Sequence, residues 1–219
     1  MFFGPNIFAS IVTVQLCAIM NSAFHVPKTI EKKVNHELHF FQVTINDLKE
    51  ALYRLEVIPD VLESVPLQIL NVAFGSKSVN LGNKLKLLDI MVPPSQISWD
   101  YEKEALYTLI LAGPDFPNRW LHEKREYPHW VVGNIPGDNI LAGETVFEYE
   151  YPPSSYDPGT HRLVFTLYKQ NGTDPVIFDE SILKKRNVPL IRAYFSTQVF
   201  GRKYRMEAPN GVNFFEVDI

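Results

Sequence analysis

Proline and glycine pairs cut the chain from Leu67 onward into short runs, and no other feature constrains the fold as much. Pro93-Pro94, Gly113-Pro114, Pro136-Gly137, Pro152-Pro153, Pro158-Gly159 and Asn171-Gly172 each mark a turn. Proline fixes φ and removes an N–H, while glycine accepts backbone angles closed to other residues. Between these marks lie runs rich in β-branched and aromatic residues: Leu67 to Phe74, Gln96 to Tyr101, Leu106 to Leu111, Trp130 to Val132, Thr145 to Tyr151, Leu163 to Tyr168 and Asn213 to Val217. Leu163 to Tyr168 is strongly apolar and reads as a central strand. Short strands at such spacing point to a mainly β sandwich or barrel rather than a parallel α/β sheet.

Helical periodicity is confined to the flanks. Leu48, Leu52 and Leu55 recur at helical spacing behind Asn46 or Asp47, either of which can cap, and Ile58-Pro59-Asp60 ends the helix. Ile191 to Tyr204 reads as a late helix or, from its β-branched and aromatic content, as a strand.

The charges are unevenly placed. Of 219 residues, 46% are hydrophobic and 21% charged, the balance of an ordinary globular protein, and the net charge is −4. A mildly acidic chain lacks the basic field of a nucleic-acid binder, so no nucleic-acid partner is expected. Met1 to Pro27 holds no Asp, Glu, Lys or Arg. Within it, the apolar run Ile7 to Met20 is short for a membrane span and is followed by Asn21-Ser22-Ala23. These are marks of a signal peptide over residues 1–23, cleaved after Ala23, and hence of a secreted protein with no stable membrane span. An uncleaved anchor or a buried N-terminal strand is the alternative. Cys17, the only cysteine, lies in this run, so a mature chain would have no disulfide, thiol nucleophile or thiolate metal site.

Local motifs for catalysis are lacking. His36-Glu37-Leu38-His39 spaces its histidines three apart, not the four that a zinc-protease helix needs. Lys184-Lys185-Arg186 reads as a solvated turn. Asn171-Gly172-Thr173 is an N-glycosylation sequon, used only if the chain is secreted. No Ser-His-Asp order, phosphate loop or paired-carboxylate spacing stands out, so the chain is not expected to be an enzyme and no cofactor is called for. Two histidines, His129 and His161, each open a strand beside prolines, and a β fold can bring them to one pocket at a sheet edge.

The tracts around these histidines carry a family resemblance. They read Gly113-Pro114-Asp115-Phe116-Pro117-Asn118-Arg119, then Arg125-Glu126-Tyr127-Pro128-His129-Trp130-Val131-Val132-Gly133-Asn134, then Gly159-Thr160-His161-Arg162 before a strand ending Tyr168-Lys169-Gln170. In order and spacing they resemble the phosphatidylethanolamine-binding protein family. That family carries Asp-Pro-Asp-x-Pro, Arg-Glu-x-x-His and Gly-x-His-Arg. The resemblance runs from about Leu55 to Val217. Glu56 to Asp60 and Ser98-Trp99-Asp100 look most like a secreted insect branch, some members of which are described as candidate odorant-binding proteins.

The resemblance implies an antiparallel β-sandwich of Greek-key type with a few peripheral helices, over residues 55–219, preceded by an extension over 24–54 with a short helix. It implies a ligand pocket for anionic head groups such as phosphate, formed by Asp115, Phe116, Pro117, Tyr127, His129, Pro152, Pro153 and His161, and cis peptides at Phe116-Pro117 and Arg125-Glu126. The sequence departs from the pattern in four ways. Gly113 replaces the first Asp. Leu163 replaces a frequent Tyr. Tyr149 and Tyr151 stand about where pocket glycines are usual. The family's C-terminal helix is missing after Ile219. These departures predict a site that is more apolar and open, or partly filled by tyrosine, with low phosphate affinity. The expected function is therefore secreted binding of a small hydrophobic or lipid-like ligand, in the manner of an odorant or lipid carrier. Two alternatives remain: a protein-interaction module, such as a protease inhibitor or signalling regulator, and a mitochondrial ribosomal relative.

Overall fold

The computed structural model describes residues 45–121, 124–180, 192–206 and 208–219. By its internal contacts the chain divides into Met1–Leu48 and Lys49–Ile219. The expected signal segment with Cys17, His36 and His39, and Lys184-Lys185-Arg186 lie outside the described residues. Residues 45–54 form a helix, α1, with Leu48 and Leu52 fully buried, as the leucine spacing predicts.

The strands are β1 (Gln68–Ile69), β2 (Asn71–Phe74), β3 (Lys77–Ser78), β4 (Asn83–Lys86), β5 (Gln96–Ser98), β6 (Leu106–Gly113), β7 (Tyr127–Pro136), β8 (Glu144–Phe147), β9 (Thr160–Lys169) and β10 (Gly211–Asp218). The large sheet has the order β1-β10-β9-β6-β7-β8, with β4 also on β10, and the small sheet the order β3-β2-β5. The main ladder is antiparallel, pairing Leu111 with Phe165 and Phe165 with Asn213. The all-antiparallel expectation needs one amendment, since β1 and β4 both join β10 in parallel.

Both faces of the large sheet are covered, which explains why its strands read as continuous apolar runs rather than alternating ones. On one face Leu163, Phe165 and Leu167 meet Val72, Phe74 and Trp99 of the small-sheet side, with the Phe74 ring edge-on to Phe215 at 5.7 Å. On the other, Ile110, Val131 and Tyr168 pack with Phe200 and Met206. Each fully buried Leu or Phe contributes about 1.5–3 kcal/mol of transfer free energy. The late segment resolves as a helix, α2 (Thr197–Lys203). Ser196 caps it by accepting from the Val199 N–H, and Arg202 and Lys203 occupy its last turn, where a cation is favoured.

The topology gathers one end of the sheet. β6 ends at Gly113, paired with Tyr127 at the start of β7, while β9 starts at Thr160 opposite Asp218 at the end of β10. Gly113, Tyr127, His129 and His161 are thus brought together from separate motifs.

Candidate ligand-binding site

The site is built on a buried ionic anchor. Arg162, 1% exposed, donates from Nε to Asp115 Oδ2 at 2.9 Å and from Nη2 to Oδ1 at 2.6 Å. It also reaches Asp60 and the carbonyls of Leu55 and Glu56. The Asp115 carboxylate is therefore committed to Arg162, and its main-chain carbonyl faces His161 Nδ1 at 3.0 Å. The Asp157 carbonyl lies 2.8 Å from His161 Nε2, so both nitrogens of this ring face carbonyl oxygens of the chain.

His129 is fully buried, and burial pushes its pKa down to about 3, so the ring is neutral. Its Nδ1 lies 2.7 Å from the Glu150 carbonyl and its Nε2 2.9 Å from the Tyr156 hydroxyl. A second buried network runs beside it. Tyr127 donates its hydroxyl to Glu150 Oε2 at 2.7 Å, and Arg192 Nε stands 3.5 Å from the same oxygen. Burial and the Glu150 carboxylate push the Tyr127 pKa up, which keeps the phenol protonated.

The walls are aromatic. Phe116, Tyr127 and Tyr156 form one cluster, against which Ala193 and Ile219 pack. The Tyr156 ring lies 5.0 Å from both Phe116 and His161, in each case edge-on. Its hydroxyl has room because residue 113 is glycine: a Cβ there would come 2.7 Å from Tyr156 Oη and 3.0 Å from His129 Nε2.

The expected residues take different places. Phe116, Tyr127, His129 and His161 converge, and Asp115 supports them from beneath. Phe116-Pro117 and Arg125-Glu126 are cis, as the resemblance implies, and Ile58-Pro59 is cis as well. Pro152 is buried, and the Pro153 carbonyl accepts the Tyr156 N–H at 3.1 Å. Tyr149 does not fill the site. Its hydroxyl donates to the Ile90 carbonyl at 2.6 Å, and its ring packs edge-on to Trp130. The tyrosine that does fill the site is Tyr156, which sequence reasoning missed. It sits in a Ser-Ser-Tyr-Asp-Pro-Gly stretch that reads as an exposed turn, and its only sequence signal is the missing side chain at Gly113. Among the described residues no group of three His, Cys, Asp or Glu is placed to hold a metal, and no helix is long and apolar enough to cross a membrane.

Comparison with known proteins bears on the family and the fold. Residues 75–203 match the family model described as phosphatidylethanolamine-binding protein. "Putative odorant-binding protein A5" of Drosophila melanogaster is 28% identical over 171 residues, 78% of this chain and 80% of that one. The "26 kDa secreted antigen" of Toxocara canis is 30% identical over 161 residues, 73% of this chain but only 60% of that protein. Among solved structures, a carboxypeptidase Y inhibitor complexed with its cognate proteinase has the same fold, with a TM-score of 0.63 at 21% identity over 84% of this chain and 98% of that one. A phosphatidylethanolamine-binding protein from Plasmodium vivax superposes with a TM-score of 0.59 at 25% identity, over 77% and 96% of the two chains.

Proposed function

The chain belongs to the phosphatidylethanolamine-binding protein family, and from that premise we propose that it is a secreted binding protein for small hydrophobic or lipid-like ligands, with little affinity for a phosphate head group. The observation that carries this reading is the neutral, fully buried His129 inside the Phe116–Tyr127–Tyr156 aromatic cluster. An anion binds where N–H donors and positive charge are free to meet it. Here the nearest cations, Arg162 and Arg192, face the carboxylates of Asp115 and Glu150. The histidine nitrogens are engaged within the chain. Stiff aromatic walls suit an apolar body instead. The chemistry asked of such a site is binding without bond making.

Fluorescence enhancement of an environment-sensitive naphthylamine dye tests the site. The full chain should bind the dye, and Phe116→Ala should lose most of that binding. Dye binding that is indifferent to Phe116 would contradict the site. The proposal of secretion rests on the N-terminal charge pattern and on the name of the Toxocara canis relative. N-terminal sequencing of protein recovered from the medium should begin near Phe24. Retention of the whole chain inside the cell would contradict secretion.

A further inference from the structure

The hydrogen bonds of His129 specify more than an apolar occupant. Glu150 meets Nδ1 through a carbonyl oxygen, which only accepts. Nδ1 therefore carries the ring proton and donates. The neutral ring then presents a bare lone pair at Nε2, and a partner for that atom has to be a donor. In the closed site the donor is the Tyr156 hydroxyl at 2.9 Å. Its phenol ring is held by Phe116, Tyr127 and His161, in the seat that Gly113 leaves vacant.

Tyr156 is held as a displaceable occupant would be. Between Pro153 and Thr160 it is the one buried residue; Ser154, Ser155, Asp157, Pro158 and Gly159 are exposed. The segment is tied on the C-terminal side of Tyr156, by Asp157, whose N–H donates to the Pro117 carbonyl at 2.9 Å and whose carbonyl lies 2.8 Å from His161 Nε2, and by Gly159, which bonds Ile219 in both directions. Withdrawing the phenol therefore takes no other buried side chain of this segment with it.

We infer that the site selects a neutral hydrophobic molecule bearing a hydroxyl, an alcohol or a phenol, which takes over from Tyr156 the hydrogen bond to His129 Nε2. The inference rests on the hydrophobic-ligand reading above and narrows it to one chemical class. A carboxylate or a phosphate diester meets the Nε2 lone pair with lone pairs of its own, and an ether lacks the proton.

The test uses the full chain with Tyr156→Ala, phenol as the probe and anisole as its donor-free match, read by thermal shift. Phenol should raise the melting temperature and bind about tenfold tighter than anisole, the ratio expected for one hydrogen bond. Inorganic phosphate should have no effect. Equal binding of phenol and anisole overturns the hydroxyl inference and leaves the hydrophobic site standing. Stabilisation by phosphate in preference to phenol overturns both. Should the variant fail to fold, nitrogen NMR of His129 in the wild-type chain decides. A ring protonated at Nδ1 and bare at Nε2 supports the inference, and a proton on Nε2 overturns it. In the wild-type chain, propylphenol should displace the naphthylamine dye about tenfold better than propylanisole. Displacement by the ether at equal concentration counts against the hydroxyl.

Discussion

At the scale of single residues, the character of the site turns on Gly113, Glu126 and His129. A Cβ at residue 113 meets the Tyr156 hydroxyl and the His129 ring at once. Gly113→Ala should therefore cost about 1–3 kcal/mol in urea unfolding, the usual range for overpacking. Gly113→Ala combined with Tyr156→Phe should recover part of that loss. Equal stability of wild type and Gly113→Ala would show that the phenol is not seated there. Glu126 is buried and accepts from the N–H of Thr197 at 2.8 Å, yet burial outweighs those bonds and pushes its pKa up to about 7 from 4.5. A raised carboxyl contributes stability that is complete below pH 4.5 and lost as pH rises through 7. His129 has the opposite sign. Its lowered pKa contributes stability that is present above pH 6.5 and lost as pH falls toward 3. The difference in melting temperature between Glu126→Gln and wild type should therefore grow in the variant's favour from pH 5 to pH 8. A difference that does not change with pH would contradict a protonated Glu126. Asn171 is exposed in a turn with Gly172 at φ 79°, and Thr173 is exposed beside it. Protein secreted from eukaryotic cells should lose mass on endoglycosidase treatment, and Asn171→Gln should not. An unshifted wild-type band would remove this site.

At the scale of elements, legibility follows burial pattern. β9 was legible because Leu163 to Tyr168 is apolar without a break, as a strand covered on both faces must be. β3 and β4 were not, because Lys77-Ser78 and Asn83-Lys84-Leu85-Lys86 carry one buried side chain between them, Leu85, and pair at the margins. The segment over 191–204 left helix and strand open, since Val199 and Phe200 suit both. The Ser196 cap and the burial of Phe200 and Gly201 against the sheet decide for α2. In the site, His129 and His161 were legible from their motifs. Tyr156 was not, because its burial depends on a vacancy at the end of a distant strand, and turn composition hides it. The 153–159 segment, with one buried side chain, should open more readily than the sheet. In hydrogen exchange the amides of Tyr156 and Asp157 should exchange well before those of Leu109 and Phe165. Exchange of all four in a single cooperative step would contradict a displaceable phenol.

At the scale of the whole molecule, the fold assembles a buried site whose charges are already paired within the chain. The net charge of −4 provides no general field to draw anions in. The buried cations are neutralised where they stand, Arg162 by Asp115 and Asp60 and Arg192 by Glu150. The cis peptides and paired histidines that the resemblance implies are present, and the Tyr156 phenol occupies the space that Gly113 leaves. The central claim is that this site has left phosphate binding for neutral hydrophobic ligands. Calorimetric titration of the full chain with phosphorylethanolamine tests it most directly. The account predicts no saturable heat below millimolar concentration, and a micromolar dissociation constant would contradict it.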